Sequence, residues 1–325
     1  RVVSLVTDYA PGIDSEKFFN ERFKNNGGTV VETLRVPYAT ADERVTLGWG
    51  RIFTNDQIGD GKDRWRTGSY TVSRLRGPSW QGHAGHGFGD ILELRGHAGV
   101  IAPSNLTTPA ANDRRYAGVL SFGLNTHFGW QGAEVDLGAE LALTGPRSGI
   151  GSFQKWFHNQ AGMVPPSSAV LDAQIGNRLH PGLNAEIGRT YGLGDALRLR
   201  PFAEARLGLE SLVRVGGDIT IGRFGQGGLL LRDVTTGQRY RGIEGTQSEG
   251  FSLTMGGDLA HVFHSALLPS GGAVTAEKDR YRLRAGLQWQ GKRASAFYGV
   301  SYLSREFVQQ PEGQLVGALS LNLRF

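Results

Sequence analysis

Gln154-x-x-x-His158 is one of the short motifs that stand out from the strand background. Four residues apart on a helix, two side chains share a face. An imidazole accepts a proton from water near neutral pH when its pKa lies close to ambient. The chain has eight histidines, so one on a helix does not by itself make a site. Thr54-Asn55-Asp56 closes a first strand, and Asp63-Arg64-Trp65-Arg66-Thr67-Gly68 opens the next; Asn-Asp at a strand end is, alone, ordinary turn chemistry. Asp63-Arg64 and Asp113-Arg114 read as ion-paired braces at strand starts. His83 and His86, in GHAGHGFGD, look with His97 like a metal cluster, but a Gly-rich hairpin without Cys offers no fixed scaffold, and a flexible loop is the better reading. No GxSxG elbow is present, so no serine nucleophile is expected.

The elements that must position these residues are strands. In GQLVGALSLNLRF, Leu315, Gly317, Leu319, Leu321, Leu323 and Phe325 alternate with Val316, Ala318, Ser320, Asn322 and Arg324. A side chain flips faces at every strand residue, so this segment separates two solvents, and its closing Phe suits a closed outer-membrane barrel. The same period runs through Ala133–Leu143, where Val135, Leu137 and Leu141 oppose Glu134, Asp136 and Glu140. In Leu197–Leu209, leucines and alanines oppose Arg198, Arg200, Glu204 and Arg206. In Tyr281–Trp289, the apolar face opposes Arg282, Arg284 and Gln288. Arg on some strands and Asp or Glu on others is the pattern of a lumen crossed by ion pairs. Trp49, Trp130, Tyr281, Trp289, Tyr298 and Tyr302 suit interface girdles.

Alternation places about twelve strands, at 45–56, 67–76, 90–102, 115–130, 133–144, 183–193, 195–210, 213–224, 250–264, 279–290, 293–306 and 313–325. The expected fold is all-β: a transmembrane antiparallel β-barrel over 43–325, with a short helical insertion near 152–175. There Phe153, Trp156 and Phe157 recur at helical spacing, Ser152 is the expected N-cap, Pro165-Pro166 the expected stop, and 168–175 a second short helix. Such an insertion must sit outside the bilayer or in the barrel mouth.

Composition agrees. No run approaches the roughly 18 apolar residues of a membrane helix, and a mean hydropathy of −0.27 is what a barrel shows when its apolar residues alternate with polar ones. With no Cys there is no disulfide framework, and 49 Gly without a collagen period point to turns and curved strands. The net charge of +5 would suit nucleic acid or an anionic membrane surface. The arginines are spread through alternating strands, not gathered in one run, which argues against nucleic acid.

At its polar motifs the chain resembles the outer-membrane lipid A 3′-O-deacylases. The ordered set is Asn55-Asp56, then Asp63-Arg64-x-x-Thr67-Gly68, then Asp113-Arg114-x-Tyr116-Ala117-Gly118. Gly145-Pro146-x-Ser148, Gln154-x-x-x-His158, Asp172-x-Gln174 and a closing Arg305-Glu306-Phe307 strand follow. The resemblance covers about residues 46–325. It implies a twelve-stranded barrel in the bacterial outer membrane that removes an acyloxyacyl group from the lipid A of lipopolysaccharide by calcium-dependent ester hydrolysis. It also implies His158 as general base oriented by Gln154, Thr67 as a catalytic and metal-binding residue, and Asn55 and Asp56 as Ca2+ ligands. Oxygen ligands suit a hard cation, which could polarise an ester carbonyl. Two positions depart from the family: the acidic residue it can carry about one and a half turns after the histidine is replaced by Met163-Val164-Pro165, and the loop SNLTTPAAN lacks a lysine. Arg114, Arg115 or Arg147 is then expected to contact the substrate phosphate, since guanidinium matches phosphate geometry. The expected partners are lipopolysaccharide and the outer membrane, with the protein a monomer; a narrow pore or structural barrel without activity is the rival reading.

Residues 1–42 do not share the alternation. VVSLVTDY, a helix over Ile13–Asn25 stopped at Gly27-Gly28, and GGTVVETLRVPY read as one βαβ unit. In VTDYAPGIDSEKFF and VVETLRVP it resembles part of the periplasmic amino-acid-binding proteins of ABC transporters. One such unit is too small for a ligand cleft, so a gene fusion, a mis-joined sequence and a small periplasmic plug all remain open, and no activity is assigned to it. No signal peptide stands at Arg1; an export signal is expected to have been removed or to lie outside this sequence.

Overall fold

The computed structural model describes all residues except 1, 9, 38–43, 86, 246–248 and 324–325. The expectations on His86, Arg324 and Phe325 therefore lie outside the described residues. The chain divides into two units, Arg1–Arg44 and Val45–Phe325.

The first unit is a single βαβ turn: β1 (Val2–Asp8), α1 (Ala10–Asn25) and β2 (Val30–Pro37), with β1 and β2 parallel. Gly27, at φ +79°, takes the left-handed position that stops α1.

The second unit is a closed antiparallel barrel. Its wall strands are β3 (Val45–Asn55), β4 (Trp65–Gly77), β5 (Ile91–Ala102), β6 (Ala117–Trp130), β7 (Ala133–Thr144), β8 (Arg178–Gly188), β10 (Leu197–Leu207) and β11 (Glu210–Ile221). β14 (Gly250–Ser265), β15 (Asp279–Gln290), β16 (Ala294–Leu303) and β17 (Gln314–Leu323) complete it. The two-residue β9 (Tyr191–Gly192) adds to β10 where β8 ends. The wall thus has twelve strands, and pairing of β17 with β3 (Ala318 opposite Thr54) closes it. Every expected strand is present.

Burial is inverted relative to a water-soluble protein. On β15, Arg282 and Arg284 are each 6% exposed, while Leu283 between them is 57% exposed. A leucine left outside and an arginine taken inside require a hydrocarbon exterior and a polar lumen. Trp49, Trp130, Tyr281, Trp289 and Tyr298 are all exposed, as a girdle requires.

The lumen is filled by an element that the alternation did not reveal. Between β11 and β14 the chain turns back as a hairpin, β12 (Leu229–Arg232) and β13 (Arg239–Ile243). Leu229, Leu231, Tyr240 and Ile243 pack with Ile52, Leu75, Ile91 and Phe297 of the wall. β3 admits the hairpin because it carries glycine where it passes: a Cβ at Gly48 would lie 2.2 Å from the Gly242 carbonyl oxygen. Arg232 at the hairpin tip reaches Glu186 at 2.8 Å and Asp218 at 2.9 Å, and Arg284 and Arg282 hold Asp218 and Asp258 from the wall. These are the lumen ion pairs expected from the strand charges.

The filled lumen predicts a non-conducting barrel. In planar bilayers the intact protein should give no channel steps. Replacing residues 226–245 with a short Gly-Ser turn should open a measurable conductance, and steps from the intact protein would contradict a plugged lumen.

Candidate active site

The site is built where β3 ends and β4 begins, across from the segment that follows β7. Asn55 ends β3 and caps a short 3-10 turn over Asp56–Ile58, its Oδ1 accepting from the Gln57 N–H at 2.7 Å. Asp56 is fully buried. Its Oδ2 accepts from the Arg64 N–H at 2.8 Å and its Oδ1 from the Thr67 hydroxyl at 2.9 Å. The same hydroxyl also lies against Asp63 Oδ1. A hydroxyl has one proton, so it can serve only one of these carboxylates at a time. Burial, reinforced by the charges of Asp63 and Asp60 and opposed by the Arg64 and Thr67 hydrogen bonds, pushes Asp56 up to about 8.

The second half comes from α2 (Ile150–Ala161), followed by α3 (Ser168–Asp172). α2 lies close against β6: a Cβ at Gly118 would come within 2.7 Å of both Ser148 Oγ and Ile150 Cβ. The expected cap at Ser152 is not used. Ser152 is exposed, the helix starts two residues earlier after Gly149 in the left-handed region, and the Ile150 N–H points to Ser148 Oγ at 3.4 Å. Gly162, at φ +68°, ends the helix before the two prolines are reached.

Gln154 and His158 occupy the buried face of α2, as their spacing requires. The Tyr116 hydroxyl donates to Gln154 Oε1 at 2.8 Å, which turns the Gln154 amide N–H toward His158 Nε2 at 3.4 Å. On the ring's other side His158 Nδ1 lies 2.7 Å from the Val164 carbonyl oxygen. A carbonyl only accepts, so Nδ1 carries the proton and Nε2 presents a lone pair. Val164 lies in the stretch Met163-Val164-Pro165; its backbone carbonyl does the orienting, and the side chain is not needed for it. Asp63 Oδ2 is 3.5 Å from the same Nε2. Asp63 therefore joins the Thr67 and His158 halves. This corrects the reading of Asp63-Arg64 as a brace: Arg64 turns to Glu312 at 2.9 Å and Asp60 at 3.4 Å and stacks over Trp65.

The strand residues that flank the site have outward parity. Asn55, Gly68 and Gly118 share strand parity with Phe53, Tyr70 and Phe122, which are 42%, 45% and 65% exposed on the lipid-facing side. The opposite parity carries Thr54, Ser69, Val119 and Ser121 into the lumen. A lumen cavity of about 120 Å³, lined by Arg66, His97, Arg206, Arg280 and Glu306 among others, includes none of Asn55, Asp56, Thr67, Gln154 or His158.

The three arginines expected at a substrate phosphate separate. Arg114 is 1% exposed and paired with Glu306, so it does not face a ligand on the outer wall. Arg115 spends its guanidinium on the carbonyls of Ala173 and Gln174, at 2.6 and 2.7 Å. Arg147 is exposed just before α2, and among the described residues its side chain has no ion-pair partner. Asp113 braces its own loop, accepting from the Ser104 and Arg114 N–H groups, and Asp172 is exposed, so neither enters the site. His83 is exposed in its loop, and His97 faces Thr71 instead. The described residues do bring Glu93, His127 and Asp136 together in the lumen, but Arg95 lies against both carboxylates and fills the place of a cation.

Beneath the site, Glu306 accepts from Arg66 at 2.7 Å, lies 3.5 Å from Arg280, and pairs with Arg114. Burial works against its charge, but the three guanidiniums outweigh it and hold the Glu306 carboxyl down at about 2. Arg66 precedes Thr67, and Arg114 lies two residues before Tyr116, so one carboxylate ties both halves of the site together.

Fold and site define an outer-membrane β-barrel with a histidine–carboxylate centre on its lipid-facing wall. The chain belongs to the family described as "Outer membrane protein LpxR", whose model matches residues 30–325, and its location is the bacterial outer membrane. The solved structure of LpxR from Salmonella typhimurium superposes with a TM-score of 0.72 over 86% of this chain and 100% of that one, at 17% identity, which shows a shared fold. The N-terminal segment is similar to another protein: 42 residues are 50% identical to Leu/Ile/Val-binding protein homolog 6 of Brucella abortus (strain 2308) and equally to that of Brucella suis biovar 1. That match is 13% of this chain and spans only 11% of the length of those curated relatives.

The geometry predicts the Nδ1–H tautomer for neutral His158. Nitrogen-15 shifts of labelled histidine, assigned by loss of the signal in His158→Gln, should show it; an Nε2–H form would contradict the Val164 contact.

Proposed function

We propose that this protein is a lipid A deacylase, hydrolysing an ester to release an acyloxyacyl group from lipopolysaccharide at the outer leaflet. The observation that carries the reading is a proton-accepting imidazole nitrogen beside carboxylates on the outer wall, where an acylated lipid lies and a soluble substrate does not. Family membership and the shared fold with Salmonella LpxR support the same class. A lumen filled by the β12–β13 hairpin weighs against the rival pore. A closed wall leaves no strand edge that needs a second copy, in keeping with a monomer.

His158 Nε2 takes a proton from a water molecule as its oxygen attacks the ester carbonyl carbon. The Nδ1–H to Val164 bond keeps the ring oriented and shares the imidazolium charge. Asp63, facing Nε2, adds charge stabilisation to that cation. Collapse of the tetrahedral adduct breaks the bond to the alcohol oxygen, which leaves with the proton returned by Nε2. Tyr116 positions the ring through Gln154, whose amide nitrogen lies 3.4 Å from the reacting Nε2.

The residues fit Ca2+. Asp56, Asn55 and Thr67, with Asp63, present oxygen donors, two carboxylates crowd a single hydroxyl proton, and burial opposes the charge of Asp56. Bound there, the ion would supply Lewis-acid polarisation of the ester carbonyl and stabilise the oxyanion. Arg147, exposed beside α2, is the arginine left free to meet a lipid A phosphate in this reading.

Lipid A mass spectrometry tests the reading. His158→Ala should abolish acyl loss while the barrel still inserts, and a calcium chelator should suppress turnover by the intact protein. Acyl loss by His158→Ala would refute the assignment. Tyr116→Phe, which leaves Gln154 Oε1 without its buried donor, should lower kcat about tenfold with KM little changed. Arg147→Ala should raise KM instead; unchanged turnover at low substrate would remove Arg147 from the phosphate contact.

A further inference from the structure

α2 carries more than the catalytic face. At 3.6 residues per turn, its exposed length divides into three stripes, each roughly a third of a turn apart. Gln154 and His158 face the barrel. Lys155 and Asn159 form a polar stripe, exposed to solvent. Phe153, Trp156 and Phe157 form the third, exposed by 58%, 57% and 48%. Their rings associate, Phe153 lying 5.8 Å from Trp156 and 6.3 Å from Phe157. Three clustered aromatics left open on a short helix are costly in water, whereas Trp and Phe facing one way with Lys facing another is the distribution of a helix lying in a membrane interface.

What covers this stripe follows from where the helix sits. α2 and α3 pack on the outward parity of the wall: Ile150 lies over Gly118 of β6, and Val170 packs with Ala102 and Tyr116. Along the same outer faces, Phe122 and Leu124 of β6 and Leu94 of β5 are open to lipid. The aromatic stripe therefore belongs to a helix packed on the outward side of the same strands whose exposed side chains meet the bilayer. We propose that Phe153, Trp156 and Phe157 insert into the outer leaflet at the boundary between headgroups and acyl chains. Lys155 then stands on the headgroup side, where it meets anionic groups. This fixes the depth of His158 on the neighbouring stripe. The inference rests on the outer-membrane location and not on the reaction proposed above.

Trp156 is its own probe. Vesicles of phosphatidylcholine carrying bromine either near the headgroup end or near the tip of the acyl chains would receive the full-length protein, and the same with Trp156→Phe. The difference in fluorescence isolates Trp156 from the other tryptophans. Bromine near the headgroup end should quench this component several-fold more than bromine at the chain tips, and aqueous iodide should quench it weakly. Phe153→Ser with Phe157→Ser should reverse the order, with iodide the stronger quencher. Strong iodide quenching of the unaltered protein would overturn the proposal by placing the stripe in water. Protection from both quenchers would overturn it by placing the stripe against protein, a second copy included. Neither readout needs turnover, so an inactive enzyme with an inserted stripe and an active enzyme without one give different results.

Discussion

A single buried carboxylate sets the spacing of the site. Glu306 holds Arg66, Arg114 and Arg280 at one end of the lumen. Two of these arginines lie in the short segments that carry Thr67 and Tyr116 into the site. Taking one partner from such a group strands a desolvated charge and costs about 3–5 kcal/mol. The clamp is thus a rigid reference inside the wall for groups that work outside it. Asp56, Thr67 and Asp63 come from the β3–β4 side, and Tyr116, Gln154 and His158 from the β6–α2 side. Neither half approaches the other through a direct backbone ladder. They meet because β4, β5 and β6 are neighbours and because Glu306 fixes how far Arg66 can stand from Arg114.

The lumen makes the clamp possible. Most small barrels must fill their interior with side chains, and this one adds a hairpin of its own chain. Arg232 from the hairpin meets Asp218 and Glu186, and Arg282 and Arg284 complete the set from the wall. Each of these ions has an opposite charge at hydrogen-bond distance, the condition for ions to be tolerated away from water. The interior is a solid frame, and a solid frame holds a surface site to the fraction of an ångström that proton transfer demands.

The wall was legible in the sequence because each strand separates hydrocarbon from charge, and that contrast repeats at every second residue. The hairpin was not, since its strands have four and five residues and lie among glycines, with both faces enclosed. Gln154 and His158 could be paired from helical spacing alone. Asp63 could not be placed from sequence, because the adjacent Arg64 offers an obvious local partner that the fold gives to Glu312 and Asp60. Ser152 looked like a cap, but a glycine in the left-handed region began the helix first. The acceptor on His158 Nδ1 had no sequence signature at all. It is a backbone carbonyl, and any residue at position 164 would supply one.

A histidine–carboxylate cluster on the outer side of the wall changes the geometry of encounter. Whatever reaches His158 by this face travels in the plane of the leaflet, so its supply is measured per unit area and depends on lateral diffusion. A molecule of the leaflet need not leave the membrane to be bound there. Encounter on such a surface is governed by how crowded and how fluid the leaflet is around strands β3 to β6. Two identical copies of the protein in membranes of different packing would then meet such molecules at different rates, with no change in any residue.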